Sequence, residues 1–138
     1  GLTFMLDNVP TWHASYNYYL NIFMEMTDAV IACCDEKGSW HASMLDPEAY
    51  PHPENSASGF FIHGLAWGIN KGVLDKATYL PIVEKGWNTL KSYGDENGKL
   101  GYVQPIGHAP NAIDGNMTAP YGVGAFLLAA TEVMKLNK

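Results

Sequence analysis

Asp35-Glu36-Lys37-Gly38 recurs as Asp95-Glu96-Asn97-Gly98, and Tyr19-Leu20 recurs as Tyr79-Leu80; both offsets are 60 residues. Each acidic tetrad is a turn signature, because Asp accepts bonds from its own backbone and Gly supplies the left-handed conformation. Each tetrad also follows a stretch with helical periodicity. From about Ser15 to Cys34, Tyr19, Leu20, Phe23, Met26, Val30 and Ile31 fall on one side, and Asn17, Asn21, Glu25 and Asp28 on the other. From about Thr78 to Tyr93, Val83, Trp87 and Leu90 oppose Glu84, Lys85, Asn88 and Lys91. Pro81 fits the first turn of that helix and Gly94 ends it.

Two further segments are apolar nearly all round. One runs from about Ser56 to Lys71, with Gly72 as its stop, and the other from about Pro120 to Leu136. Leu2 to Leu6 reads as the tail of another helix. An amphipathic helix keeps one wet face, whereas an all-apolar one is buried on every side. The alternation therefore predicts an outer and an inner layer. Connections alternate too: Val73 to Ala77 is short, while Asp35 to Asn55 and Asp95 to Ala119 are long, and the long loops are expected together at one end, where function concentrates. Helical hairpins repeating every ~60 residues describe an all-α (α/α) toroid, of which this chain holds about two hairpins in a single unit, 1–138.

The 138 residues are 47% apolar and 16% charged, a globular composition. All eight basic residues are lysine, and the net charge is −6. That excludes the basic, Arg-bearing face of a nucleic-acid binder and a polybasic membrane surface. The longest apolar-plus-Gly run, Val123 to Ala130, is too short to span a bilayer. Cys33 and Cys34 are adjacent and have no other cysteine to pair with. They read as small buried hydrophobes, with no metal site expected. Nucleophile-elbow, Walker and zinc-protease motifs are absent, and no cofactor is implied.

Four stretches together resemble one family. Gly38-Ser39-Trp40-His41-Ala42-Ser43-Met44-Leu45-Asp46-Pro47 is similar to a G-x-W-x-x-x-L-D-x-P loop. Glu54-Asn55-Ser56-Ala57-Ser58-Gly59-Phe60-Phe61 resembles E-T-S-x-S-A-M-F, with Asn55 for Thr and Gly59 for Ala. Gly68 to Asp75 resembles an inner-to-outer connection, and Tyr121 to Ala130 a final-helix signature Y-G-V-G-A-F-L-L-A. The family is the unsaturated glucuronyl and rhamnogalacturonyl hydrolases, glycoside hydrolase families 105 and 88. The resemblance covers nearly the whole chain. It implies a six-hairpin (α/α)6 barrel of which this is a C-terminal part. It also implies release of a 4,5-unsaturated uronic acid from an oligosaccharide, by hydration of the C4–C5 vinyl ether. The family's catalytic Asp and its Trp-Ala-Arg-Gly-Asn-Gly-Trp segment precede the matched region, so no catalytic residue is assigned in this chain, and the compartment stays open between bacterial cytoplasm and periplasm.

Carbohydrate sites stack sugars on aromatic rings and bind hydroxyls with polar side chains. Trp40 and His41, side by side on a long loop, have the right types, although Trp40 reads first as a loop anchor and second as a sugar platform. Glu54 and Ser56 stand at the entry of an inner helix, where capping and a ligand-facing role coincide. Thr118 and Tyr121 stand at the corresponding entry of the last helix. These six are the candidate substrate-binding residues. His52 and His108 read as solvated loop residues, His63 as a core histidine and His13 as loop. Two rival readings remain beside the enzyme part: a non-catalytic carbohydrate-binding helical module, and a homo-oligomer joined through apolar helix edges. Leu2, Phe4, Met5 and Leu6 at one edge, and the last helix at the other, are the surfaces expected to associate.

Overall fold

The computed structural model describes residues 1–107, 109–110 and 112–136. His108 lies outside them. The described residues form five helices: α1 (Leu2–Asn8), α2 (Ala14–Ala32), α3 (Asn55–Asn70), α4 (Lys76–Ser92) and α5 (Pro120–Leu136). Among the described residues extended pairing is confined to two isolated bridges, His41 with Pro53 and Gly94 with Leu100. The helices divide between two compact units, Gly1–Cys33 and Cys34–Lys138. In the first, α1 packs on α2. His13 caps α2, its Nδ1 accepting from Ser15 N–H at 3.2 Å.

In the second unit α3 is the central helix. Ile62, Leu65, Ala66, Trp67 and Ile69 are buried along it. It packs on α5 and on α4. Gly59 sits against α5 so closely that an added Cβ would stand 3.0 Å from the Ala125 carbonyl carbon. The contacts continue in register, with His63 Nδ1 3.2 Å from the Leu128 carbonyl and Asn70 Nδ2 donating to the Glu132 carbonyl at 2.9 Å. Numbers rise together along both helices, so α3 and α5 run parallel. α4 runs the other way, since Lys76 Nζ at its start reaches the Leu136 carbonyl at the end of α5. Parallel inner helices joined through an antiparallel outer one are the (α/α)-toroid arrangement.

Two expectations need adjusting. α4 begins two residues earlier than its periodicity indicated, because Asp75 caps it: Oδ2 accepts from Thr78 N–H at 2.8 Å and Thr78 Oγ1–H at 2.6 Å. Pro81 therefore lies beyond the first turn, where it removes one helical hydrogen bond. α5 is not buried on every side. Val123, Leu127 and Met134 are exposed, forming a stripe at helical spacing.

Both long loops meet at the N-terminal ends of α3 and α5. The Asn55 N–H donates to the Tyr102 carbonyl at 2.9 Å, and Asn55 Nδ2 to the Gly101 carbonyl at 2.8 Å.

Candidate functional site

Glu54 organises the loop end of the second unit. Its position follows from capping: it precedes α3, whose first N–H groups have no partner inside the helix. Oε2 accepts from Ala57 N–H at 2.7 Å and Oε1 from Ser56 N–H at 3.3 Å. The Ser56 hydroxyl lies 2.9 Å from both carboxylate oxygens. One further donor comes from the other loop, the Gln104 N–H, 3.0 Å from Oε1. The Gln104 carbonyl in turn accepts from the Tyr121 hydroxyl on α5. A single residue of the second loop thus ties the starts of both inner helices. Glu54 is 7% exposed, and its donors fix the positions of both side-chain oxygens.

Trp40 joins the same frame from the first loop. Its N–H donates to Ser58 Oγ at 3.2 Å, and its carbonyl accepts from Glu54 N–H at 2.7 Å. The ring meets Phe61 edge-on with centroids 5.3 Å apart. With no exposed surface, it acts in this structure as the loop anchor, the first of its two readings.

His41 is spent on the loop as well. Nδ1 lies 2.9 Å from the Tyr50 carbonyl and Nε2 3.1 Å from Asp35 Oδ2. Both partners are acceptors, so the ring clasps the Asp35 turn to the far side of its own loop. Asp35, read from sequence as turn chemistry, is that and also the partner of His41. Its charge is felt nearby. Burial, with Asp35 adding and Lys85 opposing, pushes the Cys34 thiol up to about 11, which leaves it a poor nucleophile at neutral pH. Burial, then Asp35 and Tyr102, also raises the Tyr93 phenol.

The structure therefore brings Glu54, Ser56 and Tyr121 together through Gln104, and Trp40 through its backbone. His41 is engaged next to them, and Thr118 stands exposed before α5. His52 is exposed, with its ring 5.6 Å from Tyr102. Sequence reading did not single out Gln104, which acts through its backbone groups and bears no side-chain signature for the role. It also missed Asn55 as a site group. That side chain is 1% exposed, and its Oδ1 has no hydrogen-bond partner. Tyr102 stands beside it at φ +55, the one non-glycine residue in the left-handed region among those described.

At the other end of the α3–α5 contact, Glu132 is buried and accepts from Asn70 Nδ2 at 2.9 Å and from Lys135 Nζ. Burial alone would raise its carboxyl. The bonds from Lys135 and Asn70, with the charges of Lys135 and His63, outweigh it and hold the group below the usual range.

A sequence model of Glycosyl Hydrolase Family 88 matches residues 1–137. An unsaturated 3S-rhamnoglycuronyl hydrolase of Formosa agariphila is 39% identical over all 138 residues, and the chain spans 37% of that relative's length. A solved family 88 glycosyl hydrolase from Bacteroides vulgatus is 38% identical and superposes with a TM-score of 0.91, over 97% of this chain and 40% of that one. A solved protein described as a polysaccharide lyase is 41% identical, also with a TM-score of 0.91, over 99% of this chain and 40% of the other.

Proposed function

Because the chain belongs to glycosyl hydrolase family 88, we propose that it is the C-terminal part of an (α/α)6-barrel hydrolase that releases unsaturated uronyl residues from rhamnogalacturonyl-type oligosaccharides. The reaction is hydration of the vinyl ether, after which the ring opens and the sugar is released. The observation that carries this is the match along the whole chain to a relative named for an unsaturated rhamnoglycuronyl substrate. Glu54, Ser56, Thr118 and Tyr121 supply the sugar-facing rim, Trp40 and His41 support it, and the acid/base residue belongs to the part of the fold outside these residues. In support, Glu54 is occupied by donors from Ser56, Ala57 and Gln104, and Asp35 by donors from Lys37, Ser39 and the His41 clasp. Neither is placed as a free catalytic acid.

The test is loss of the unsaturated uronate's ultraviolet absorbance. The product of the full open reading frame is expected to consume it, and the purified 138-residue chain to leave it at the buffer rate. Turnover by the chain alone would place the acid/base group within it. The relative described as a lyase supports a second reading with the opposite sign, since a lyase creates the double bond and raises the absorbance of a saturated polymer.

A separate reading concerns association. Val123, Leu127 and Met134 on α5 and Phe60 on α3 are exposed. An apolar edge of this kind favours self-association of the isolated chain. Sedimentation at micromolar concentration is expected to give a dimer or larger species, and a monomer at all concentrations would end this reading.

A further inference from the structure

We propose that Asn97–Gly98, in the second acidic turn, is a site of spontaneous deamidation, and that the modification loosens the second long loop. This chemistry is independent of the hydrolase reading.

Asparagine is a thermally labile residue. It is most labile before glycine, which has no Cβ to crowd the attacking nitrogen. Of the ten asparagines in the chain, Asn97 is the one followed by glycine. The reaction needs only water and base. Base takes the Gly98 N–H proton, the nitrogen attacks Asn97 Cγ, and a C–N bond forms as the Cγ–Nδ2 bond breaks. Nδ2 takes a proton from water, which regenerates the base, and leaves as ammonia. Water then opens the cyclic imide. Cleavage at Cγ leaves an aspartate. Cleavage at the main-chain carbonyl carbon leaves an isoaspartate, whose backbone runs through the side chain and is one methylene longer. Either product carries a new negative charge beside Asp95 and Glu96.

The fold decides how readily the ring closes, because the turn must open for the nitrogen to swing toward the side chain. Asn97 and Gly98 are both exposed. The Asn97 N–H donates to Asp95 Oδ1 at 2.9 Å and the Gly98 N–H to the Asp95 carbonyl at 3.0 Å. These bonds leave the Asn97 side chain outside the turn's own bonding. Beyond its chain neighbours, nothing lies within 4 Å of a Cβ built on Gly98. The matching pair in the first turn is Lys37–Gly38. There the Thr89 hydroxyl of α4 donates to the Lys37 carbonyl at 2.5 Å, and a Cβ on Gly38 would meet the Gly86 nitrogen at 2.9 Å. The second turn opens by itself, whereas the first opens only by leaving α4.

The consequence reaches the loop end. Asp95 N–H donates to the Lys99 carbonyl at 2.9 Å and Lys99 N–H to Asp95 Oδ1 at 2.8 Å, and this pair closes the turn. Leu100 follows, bridged to Gly94, and then Gly101 and Tyr102, whose carbonyls accept from Asn55 at the start of α3. An isoaspartate lengthens the chain between Asp95 and Lys99, and its carboxylate repels that of Asp95. Both effects strain the pair that sets Leu100 and the residues beyond it.

The test is ageing of the purified chain at pH 6 and pH 8, read by peptide mass spectrometry, with an isoaspartyl methyltransferase marking the isoaspartate. Asn97 is expected to convert before any other asparagine, and faster at pH 8, where base removes the Gly98 proton more readily. Lys37→Asn makes the two tetrads identical. In the folded chain the introduced asparagine is expected to convert about tenfold more slowly than Asn97, since the Thr89 bond and the Gly38 packing must be given up first. In concentrated urea the two are expected to convert alike. Gly98→Ala, which crowds the attacking nitrogen, provides a second test should the first variant misfold, and is expected to slow position 97 to the level of the other asparagines. Survival of Asn97 while another asparagine converts, equal rates in the two folded turns, or an unchanged rate in Gly98→Ala overturns the site. In the separated isoaspartyl form, hydrogen exchange at the Lys99 and Gly101 amides is expected to quicken. Unchanged exchange at Gly101 overturns the loosening of the loop.

Discussion

At Asp35 the carboxylate Oδ1 accepts from the N–H groups of Lys37 and Ser39, both at 2.8 Å. At Asp95, Oδ1 accepts from Asn97 at 2.9 Å and from Lys99 at 2.8 Å. The backbone repeats as well: Asp35 and Asp95 each donate to the residue four further on at 2.9 Å, and each accepts from the glycine three further on at 3.0 Å. Local sequence thus writes the same turn twice. The surroundings then divide the two. Gly38 is packed on the backbone of α4, and Thr89 of that helix donates to the Lys37 carbonyl at 2.5 Å. Gly98 has nothing within reach of an added Cβ. Trp40 and Leu100, 60 residues apart, are both buried, but the next residue is His41 in one loop and Gly101 in the other. The first turn is a joint between a loop and an outer helix. The second carries the bridge between Gly94 and Leu100, and its glycine stands clear of other elements. A motif repeated in sequence is repeated in local bonds, while its role depends on what packs against it.

The most direct way to break that comparison is Gly38→Ala beside Gly98→Ala. Both glycines have positive φ, +88 and +80, so either alanine costs about 1–2 kcal/mol in left-handed strain. At Gly38 the new Cβ would also stand 2.9 Å from the Gly86 nitrogen. That backbone cannot swing aside, and overpacking adds about 1–3 kcal/mol. Urea unfolding is expected to give a loss of about 2–5 kcal/mol for Gly38→Ala and about 1–2 for Gly98→Ala. Equal losses would mean that α4 yields and that the two turns are equivalent.

Two acids of the long loops sharpen the same contrast: Asp114 follows Glu54 by 60 residues, but Glu54 stands next to α3 and Asp114 six residues before α5. Glu54 accepts from its own helix and from Gln104 across the mouth. Asp114 uses Oδ1 on Asn116 N–H, two residues ahead, at 2.7 Å. Glu54→Gln places an amide NH₂ where only acceptors serve, a loss of about 1.5–3 kcal/mol for bonds to a charged group. Asp114→Asn keeps its acceptor and is expected to stay within about 0.5 kcal/mol. Hydrogen exchange at the Gln104 amide checks the mechanism: it should quicken in the Glu54 variant and hold in the other.

The helices were legible because burial repeats with the helical period, and α5 was bounded to the residue. The start of α4 was missed by two because Asp75 lies outside the apolar pattern that defines the helix. The chemical types at the loop end, Glu54, Ser56 and Tyr121, were legible from their places before inner helices. Exposure was not: Trp40 and His41 look like sugar-binding groups by type, and only their neighbours show the one buried and the other clasped between Asp35 and Tyr50. Gln104 was illegible for a different reason, since a backbone N–H and carbonyl are the same in every residue that could stand there.

The smallest effect concerns charge and not packing, and it is carried by Cys34, which sits beside one turn only. Burial raises its thiol first, and the Asp35 carboxylate adds to it, for a pKa of about 11. At pH 8 about one thiol in a thousand is then the reactive thiolate. Asp35→Asn removes the negative charge and keeps an acceptor for Lys37 and Ser39, so the thiol pKa should fall and alkylation should quicken. Burial is the larger cause and remains, which keeps the gain below about tenfold. The gain should hold at every pH below the thiol's titration and vanish above it, where Cys34 is ionised in either protein. Asp95→Asn removes an equal charge from the matching turn and should leave the rate unchanged. Site-resolved mass spectrometry separates Cys34 from its neighbour Cys33. If both variants speed Cys34 alike, the effect is net charge and not the local field of the first turn. If neither does, burial alone sets the thiol, and the two turns differ only in what packs on their glycines.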